Sequence, residues 1–205
     1  VQRGEPAIFD KYLRTKTALL AGADLVLEMP VAFSTASAHE FAAYGVALLS
    51  AIGVDAVVFG SECGQIEFLK QAASALNHES AEFQERLRKG LKAGLTYPQA
   101  RAKALEMEDT WASVLSSPNN ILGIEYLRAA EDLHSPMEFY TISRKGSGYH
   151  EDTLADANFP SASAIRGIIR NSLSKDKDLL DILASHLPAV THPAYTGAVP
   201  VFVDD

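Results

Sequence analysis

The sequence predicts an α/β fold with an open parallel sheet flanked by helices, and three observations predict it. Short, nearly all-apolar runs at Leu25-Val26-Leu27-Glu28-Met29 and Asp55-Ala56-Val57-Val58-Phe59 suit strands covered on both faces. Between them Phe41, Tyr44, Leu48 and Ile52 fall at three- and four-residue steps, the period of a helix that finishes at Gly53. Parallel strands need a long crossover, usually a helix, so this succession predicts that the two runs pair in parallel.

Each element follows from its own residues. From Phe9 to Leu20 the apolar Tyr12, Leu13, Leu19 and Leu20 recur among charges as on an amphipathic helix, with Gly22 as its stop. Pro30 ends the first expected strand, and Gly60-Ser61-Glu62 terminates the second. Residues Ile66 to Leu105 read as helices whose Glu82, Glu85, Arg86, Arg88, Lys89 and Lys92 belong to solvated faces. Ser117 followed by Pro118 is a capping residue before proline at the first helical position, leading into Ile121, Leu122, Ile124, Tyr126 and Leu127.

Met137 to Ile142 alternates as a third strand. Lys145 to Phe159 has no apolar period and is expected to be a mobile loop before a helix opened by Ser161. Leu179, Leu180, Ile182, Leu183 and Leu187 predict one more helix, and from Pro188 the tail is rich in proline and small residues. The expected organisation is one α/β domain over residues 1–187, with a helix-rich segment 64–116 inserted, and a C-terminal extension beginning at 188–205.

Composition narrows the function. The 205 residues can bury a core without staples, and Cys63 is the only cysteine, which excludes a disulfide framework and a cysteine-built metal site. A net charge of −8 argues against coating a polyanion over the whole surface, so any RNA contact must be local. The apolar run from Val46 to Gly60 is broken by Ser50, Gly53 and Asp55 and falls short of a membrane span, so a soluble cytoplasmic protein without a membrane partner is expected. The opening Val-Gln-Arg-Gly-Glu-Pro reads as the interior of a longer polypeptide.

Candidate chemistry gathers at a few positions. Ligands of open parallel sheets sit beyond the carboxyl ends of the strands. There Gly60 would let a nucleobase or ribose approach the backbone, Asn119 could read a base or sugar edge, and Arg144 could pair with phosphate. Ser161, Ser163 and Arg166 put two hydroxyls and an arginine at a helix mouth, where unpaired amides attract anions.

Each position also has a structural alternative: a turn glycine, a cap-region amide, a strand-end charge, an ordinary capped helix. Arg3 suits a substrate contact or a pair with Glu5 or Asp10, and His150 is the one histidine placed for substrate contact. The six histidines show no zinc-binding spacing, and no Walker loop, dinucleotide fingerprint or serine elbow is present. The expectation is that strand ends and two helix mouths converge on a nucleoside triphosphate.

Taken together, these segments resemble the bacterial tRNA(Met) cytidine acetate ligase family of the HIGH-motif nucleotidyltransferase superfamily. The resemblance is carried by Val1-Gln2-Arg3-Gly4-Glu5-Pro6-Ala7, Gly22-Ala23-Asp24-Leu25-Val26-Leu27-Glu28-Met29-Pro30 and Phe59-Gly60-Ser61-Glu62. Further along it is carried by Tyr97-Pro98-Gln99-Ala100-Arg101, by the segment from Ser117-Pro118-Asn119-Asn120 to Leu127, by Gly148-Tyr149-His150 and by Ser161-Ala162-Ser163-Ala164-Ile165-Arg166.

It implies a Rossmann-like domain and an enzyme that activates acetate with ATP and Mg²⁺ to acetyl-adenylate, then acetylates N4 of the wobble cytidine of elongator tRNA(Met). By the same resemblance Gly60, Asn119 and Arg144 match ATP-contacting positions, and Ser161, Ser163 and Arg166 match the superfamily's phosphate element. The family's N-terminal strand with its His-x-Gly-His turn and its C-terminal helical portion have no counterpart between Val1 and Asp205, so the chain as it stands is expected to lack adenylating activity.

Transfer RNA would then be met by other regions, or by local basic residues such as Arg14, Lys16, Arg101 and Lys103. Two alternatives stay open: another HIGH-type adenylyltransferase acting on a small cofactor precursor, and a noncatalytic nucleotide-binding domain.

Overall fold

The structure, a computed structural model, describes residues 7–78, 81–104, 117–144, 162–173 and 179–202. The chain divides into two compact units, one drawn from residues 1–35 and 145–205 and the other from residues 36–144.

In the second unit the expected helix before Gly53 is α3, Ala38–Ala51. Ser37 accepts a hydrogen bond from the Glu40 amide while the Glu40 carboxylate accepts one from the Ser37 amide, a reciprocal capping box. Gly53, at φ +75°, lets the chain turn out of the helix into the strand β1, Ala56–Ser61. Three helices follow, α4 (Ile66–Asn77), α5 (Ala81–Lys92) and α6 (Tyr97–Ala104). Then come α7, Pro118–Asp132, with Pro118 in its first turn, and the strand β2, Glu138–Ser143.

The two strands run parallel, from Ala56 opposite Glu138 to Ser61 opposite Ser143. One face of this sheet, with Val57, Phe59, Phe139 and Thr141, turns toward the helices, while Val58, Tyr140 and Ile142 on the other face are exposed. α7 packs against α3, α4 and β1. Its inward residues Asn120, Gly123, Ile124 and Leu127 keep the three-four spacing of a helix face, and Ile124 joins Val46, Leu69, Leu76 and Phe139 in the core. Gly123 is where α7 comes closest to the sheet: a Cβ there would lie 2.4 Å from Phe59 Cε2.

The first unit contains α1, Lys11–Leu20, whose first turn is capped by the Asp10 carboxylate accepting from the Leu13 amide at 2.8 Å. A single turn, α2, covers Val31–Ser34. After the second unit come α8 (Ala162–Leu173), α9 (Leu179–Leu183) and a 3₁₀ helix at Ala189–Ala194. The tail is integrated, since α1 packs on the 3₁₀ helix, Phe9 meets Tyr195 edge-on at 5.3 Å, and the Val201 amide donates to the Ile8 carbonyl. Ile169, Leu179, Ile182, Leu183, Ala194 and Tyr195 form this unit's core.

One expected element is absent. Leu25–Met29 is not a strand, and Leu25, Val26 and Leu27 are exposed. A strand exists only by pairing its amides and carbonyls with a neighbour, and among the described residues this segment has none. The parallel partner of the Asp55–Phe59 run is therefore the third expected strand, reached through α4 to α7, and not the first. No helix among the described residues is long and apolar enough to cross a membrane.

Candidate functional site

The carboxyl end of β1 is built inward first. Ser61 is fully buried, and its hydroxyl accepts from Thr141 Oγ1 at 2.7 Å and from the Gly64 amide at 3.0 Å. Gly64, at φ +63°, closes this turn so tightly that a Cβ would stand 2.6 Å from Ser143 Cβ. With Ser61 turned in, the strand's pleat turns Gly60 out on the exposed face.

Arg144 follows directly on β2, and its amide donates to the Ser61 carbonyl at 3.0 Å. Its aliphatic stem crosses Gly60, where an added Cβ would meet Arg144 Cγ at 3.3 Å. Gly60 lies within the paired strand at negative φ. It is not a turn glycine; what it supplies is space beneath an exposed guanidinium.

Asn119 reaches the same strand end through Glu62. The Glu62 carboxylate accepts from Asn119 Nδ2 at 2.6 Å, from the Asn119 amide at 3.3 Å and from the Asn120 amide at 2.9 Å. In return the Asn120 side chain, 1 % exposed, accepts through Oδ1 from the Glu62 and Cys63 amides at 3.0 and 3.1 Å. Burial works against ionising Glu62, but the hydrogen bonds from Asn119 and Asn120 outweigh it and hold the carboxyl below the ordinary glutamate value.

The positive end of α7 is thus already neutralised by a side chain of the chain itself, and this helix mouth is not open to phosphate. What it offers is the Asn119 amide, a neutral group suited to a base or sugar edge. Glu62 is not among the residues expected at the site, although it ends the Phe59-Gly60-Ser61-Glu62 run. An acidic residue directly beyond a strand, ahead of a helix entry lacking an acid of its own, is the signal that could have found it.

Among the other expected positions, Ser163 lies in the first turn of α8, in the first unit, and Arg166 follows it one turn along. Arg166 Nη2 donates to Ser163 Oγ at 3.0 Å, and the first turn holds no acidic residue. Arg3, His150 and Ser161, like the expected loop from Lys145 to Phe159, lie outside the described residues. So Gly60, Asn119 and Arg144 are brought to one strand end, and Ser163 and Arg166 to one helix turn. Among the described residues no three His, Cys, Asp or Glu side chains gather as a metal site.

A second polar cluster was not anticipated. Glu125 of α7, its side chain 4 % exposed, accepts from His39 Nδ1 at 3.0 Å, from Arg101 Nη1 at 3.3 Å and from Arg128 Nη1 at 2.8 Å. Arg128 Nε donates in turn to Asn77 Oδ1 at 2.7 Å. Burial opposes the Glu125 charge, but the His39 hydrogen bond and the Arg128 and Arg101 charges prevail, and its pKa is lowered. Arg101, expected as a local basic contact for RNA, is spent largely on this buried partner, with its side chain 19 % exposed.

Residues 1–200 match the family model described as HIGH Nucleotidyl Transferase. The chain is 39 % identical, over its full length and 50 % of the relative, to a tRNA(Met) cytidine acetate ligase of Caldicellulosiruptor bescii. It is 45 % identical, over 93 % of its length and 48 % of the relative, to one of Clostridium novyi. The crystal structure of Thermotoga maritima TmcAL bound with alpha-thio ATP superposes with a TM-score of 0.81 at 36 % identity, over 96 % of this chain and 45 % of that one. The apo form superposes with a TM-score of 0.87 at the same identity, over 98 % of this chain and 49 % of that one. The chain spans about half the length of the curated relatives it matches.

Proposed function

The chain belongs to the HIGH nucleotidyltransferase family, and from that premise we propose that it is the nucleotide-binding part of an ATP-dependent tRNA(Met) cytidine acetate ligase. The observation that carries this reading is the strand end itself, where Arg144 lies over Gly60 and Glu62, just beyond the strand, anchors Asn119. The names of the relatives and the alpha-thio ATP of the Thermotoga structure support it.

In this reaction an acetate oxygen attacks the α-phosphorus of ATP, the bond to pyrophosphate breaks, and acetyl-adenylate forms. The N4 amine of the wobble cytidine in elongator tRNA(Met) then takes the acetyl group, AMP leaves, and the amine gives up a proton. Such chemistry needs charge neutralised on the α-phosphate and on departing pyrophosphate, and reactants held in line; it asks little covalent participation of the protein. Arg144 supplies a delocalised positive charge for phosphate, and Gly60, assigned with it to the nucleotide, gives the arginine's stem room to lie against the strand. Asn119 holds the base or ribose.

Ser163 and Arg166, with Ser161 before them, are assigned to phosphate on the strength of a hydroxyl and a guanidinium at an acid-free helix turn. Arg3 and His150 are assigned to substrate contact. Mg²⁺, expected with ATP, would add to the charge neutralised on the phosphates, although among the described residues no three His, Cys, Asp or Glu side chains gather to hold it. A nucleotidyltransferase domain over residues 1–187 with the helix-rich segment 64–116 inserted, a C-terminal extension that starts at 188 with Ala194 and Tyr195 packed into the first unit's core, and a cytoplasmic location complete the reading.

The test is to give the full-length protein ATP, acetate and tRNA(Met), and to look for acetylcytidine by mass spectrometry. Acetylation that needs all three supports the reading. Unmodified tRNA together with acetate-independent nucleotide transfer to a small molecule would replace it with another HIGH-type adenylyltransferase.

A further inference from the structure

We infer that Glu62 is a positioning residue that locks the Asn119 side chain with its carbonyl oxygen toward the ligand, so that the strand end selects a nucleoside presenting a hydrogen-bond donor. The inference rests on the nucleotide reading above and deepens it.

An asparagine amide can face a ligand with either end, as donor through Nδ2 or as acceptor through Oδ1, and a free side chain interconverts the two by rotation. An ionised carboxylate removes the choice, because it only accepts. With Asn119 Nδ2 at 2.6 Å from Glu62 Oε1, the opposite orientation would set two acceptor oxygens against each other at that distance.

Glu62 cannot readily yield, since its other oxygen accepts from the Asn120 amide and its own amide donates to the buried Asn120 Oδ1. Five hydrogen bonds in all join Glu62 and Cys63 to Asn119 and Asn120. The lock is therefore part of the joint between β1 and α7 and is set before any ligand arrives. An acceptor fixed in advance prefers a hydroxyl or an exocyclic amine, and it penalises a ligand that presents a carbonyl or nothing in that place, because the oxygen is then desolvated without a partner.

The experiment measures binding of ATP, GTP, purine riboside triphosphate, 2′-deoxy-ATP and 3′-deoxy-ATP to the full-length protein by calorimetry. Purine riboside triphosphate lacks the exocyclic amine, GTP puts a carbonyl in its place, and the deoxy forms each lack one hydroxyl. The parent is expected to prefer ATP at least tenfold over one class of analogue. A loss with purine riboside triphosphate and GTP puts the donor on the base, and a loss with a deoxy form puts it on the ribose.

Glu62→Gln, whose own amide can donate and so tolerates either orientation of Asn119, is expected to shrink that preference to about twofold. Asn119→Ala should abolish it, and adding Glu62→Gln to Asn119→Ala should change it no further. A parent that binds ATP but discriminates against none of the analogues overturns the inference and leaves the nucleotide reading standing. So does a Glu62→Gln protein that loses thermal stability yet keeps the parent's preference, since Glu62 would then be only a helix cap. A parent that binds no ATP overturns the nucleotide reading itself and the inference with it.

Discussion

Arg144 lies across Gly60, so close that a β-carbon on the glycine would stand 3.3 Å from the arginine's Cγ. The contact folds the residue that follows the last pair of β2 back over a paired position of β1, and it makes the smallest residue of β1 the seat of the site's cation. Gly60→Ala is expected to displace Arg144 by a few tenths of an ångström and to weaken ATP binding modestly, while Gly60→Val and Arg144→Ala weaken it about 10- to 100-fold, the value of one charge-assisted contact. Titration calorimetry on the full-length protein checks the order. Equal binding by all three variants would remove the strand end from the nucleotide site.

Gly123 plays a purely structural part. Its missing side chain leaves room for the Phe59 ring, which also meets Tyr126 edge-on at 5.6 Å. Gly123→Ala must push α7 or the ring aside, at a cost of about 1–3 kcal/mol. Urea unfolding of this variant should show a lower midpoint with an unchanged slope.

Glu125 is the charge on which the helices of the second unit meet. Glu125→Ala leaves Arg101 and Arg128 largely buried without a counter-charge, and should destabilise that unit by about 2–4 kcal/mol in chemical denaturation. Glu125→Gln keeps the shape and one acceptor, and should lose roughly half as much.

Acid should act on the same groups. Glu62 and Glu125 both have folded-state pKa values below the ordinary glutamate value. Their contribution to stability is therefore fully present above that ordinary value, and is lost as pH falls through the lowered ones. Circular dichroism should follow a loss of stability below about pH 4.3, shallower in Glu125→Gln than in the parent.

Much of this fold was legible in the residues. The three- and four-residue spacing that ends at Gly53, Pro118 at the start of α7, the apolar run of β1 and the alternation of β2 are local signals, and local signals survive into the structure. Leu25–Met29 failed because a strand is a relation between two segments, and its composition says nothing about whether a partner is at hand.

At the site, Gly60, Asn119 and Arg144 were recognisable by type and by their place at element ends. The fact that Glu62 occupies the mouth of α7 was not, since it joins residues 58 positions apart. His39, Arg101 and Glu125 likewise come from distant stretches. Only the acid amid the apolar Ile121–Leu127 run hinted that something buried must answer it.

The arrangement around Glu125 has a consequence for motion. One carboxylate gathers side chains from α3, α6 and α7, and Arg128 extends the link to α4. Freeing any of these helices would take a charged or hydrogen-bonded partner from the others, so they should tend to detach together. Amide protons along all four would then exchange with solvent through one shared opening, and the stretch that reads on paper as an appended excursion would behave as part of the unit's most slowly exchanging block.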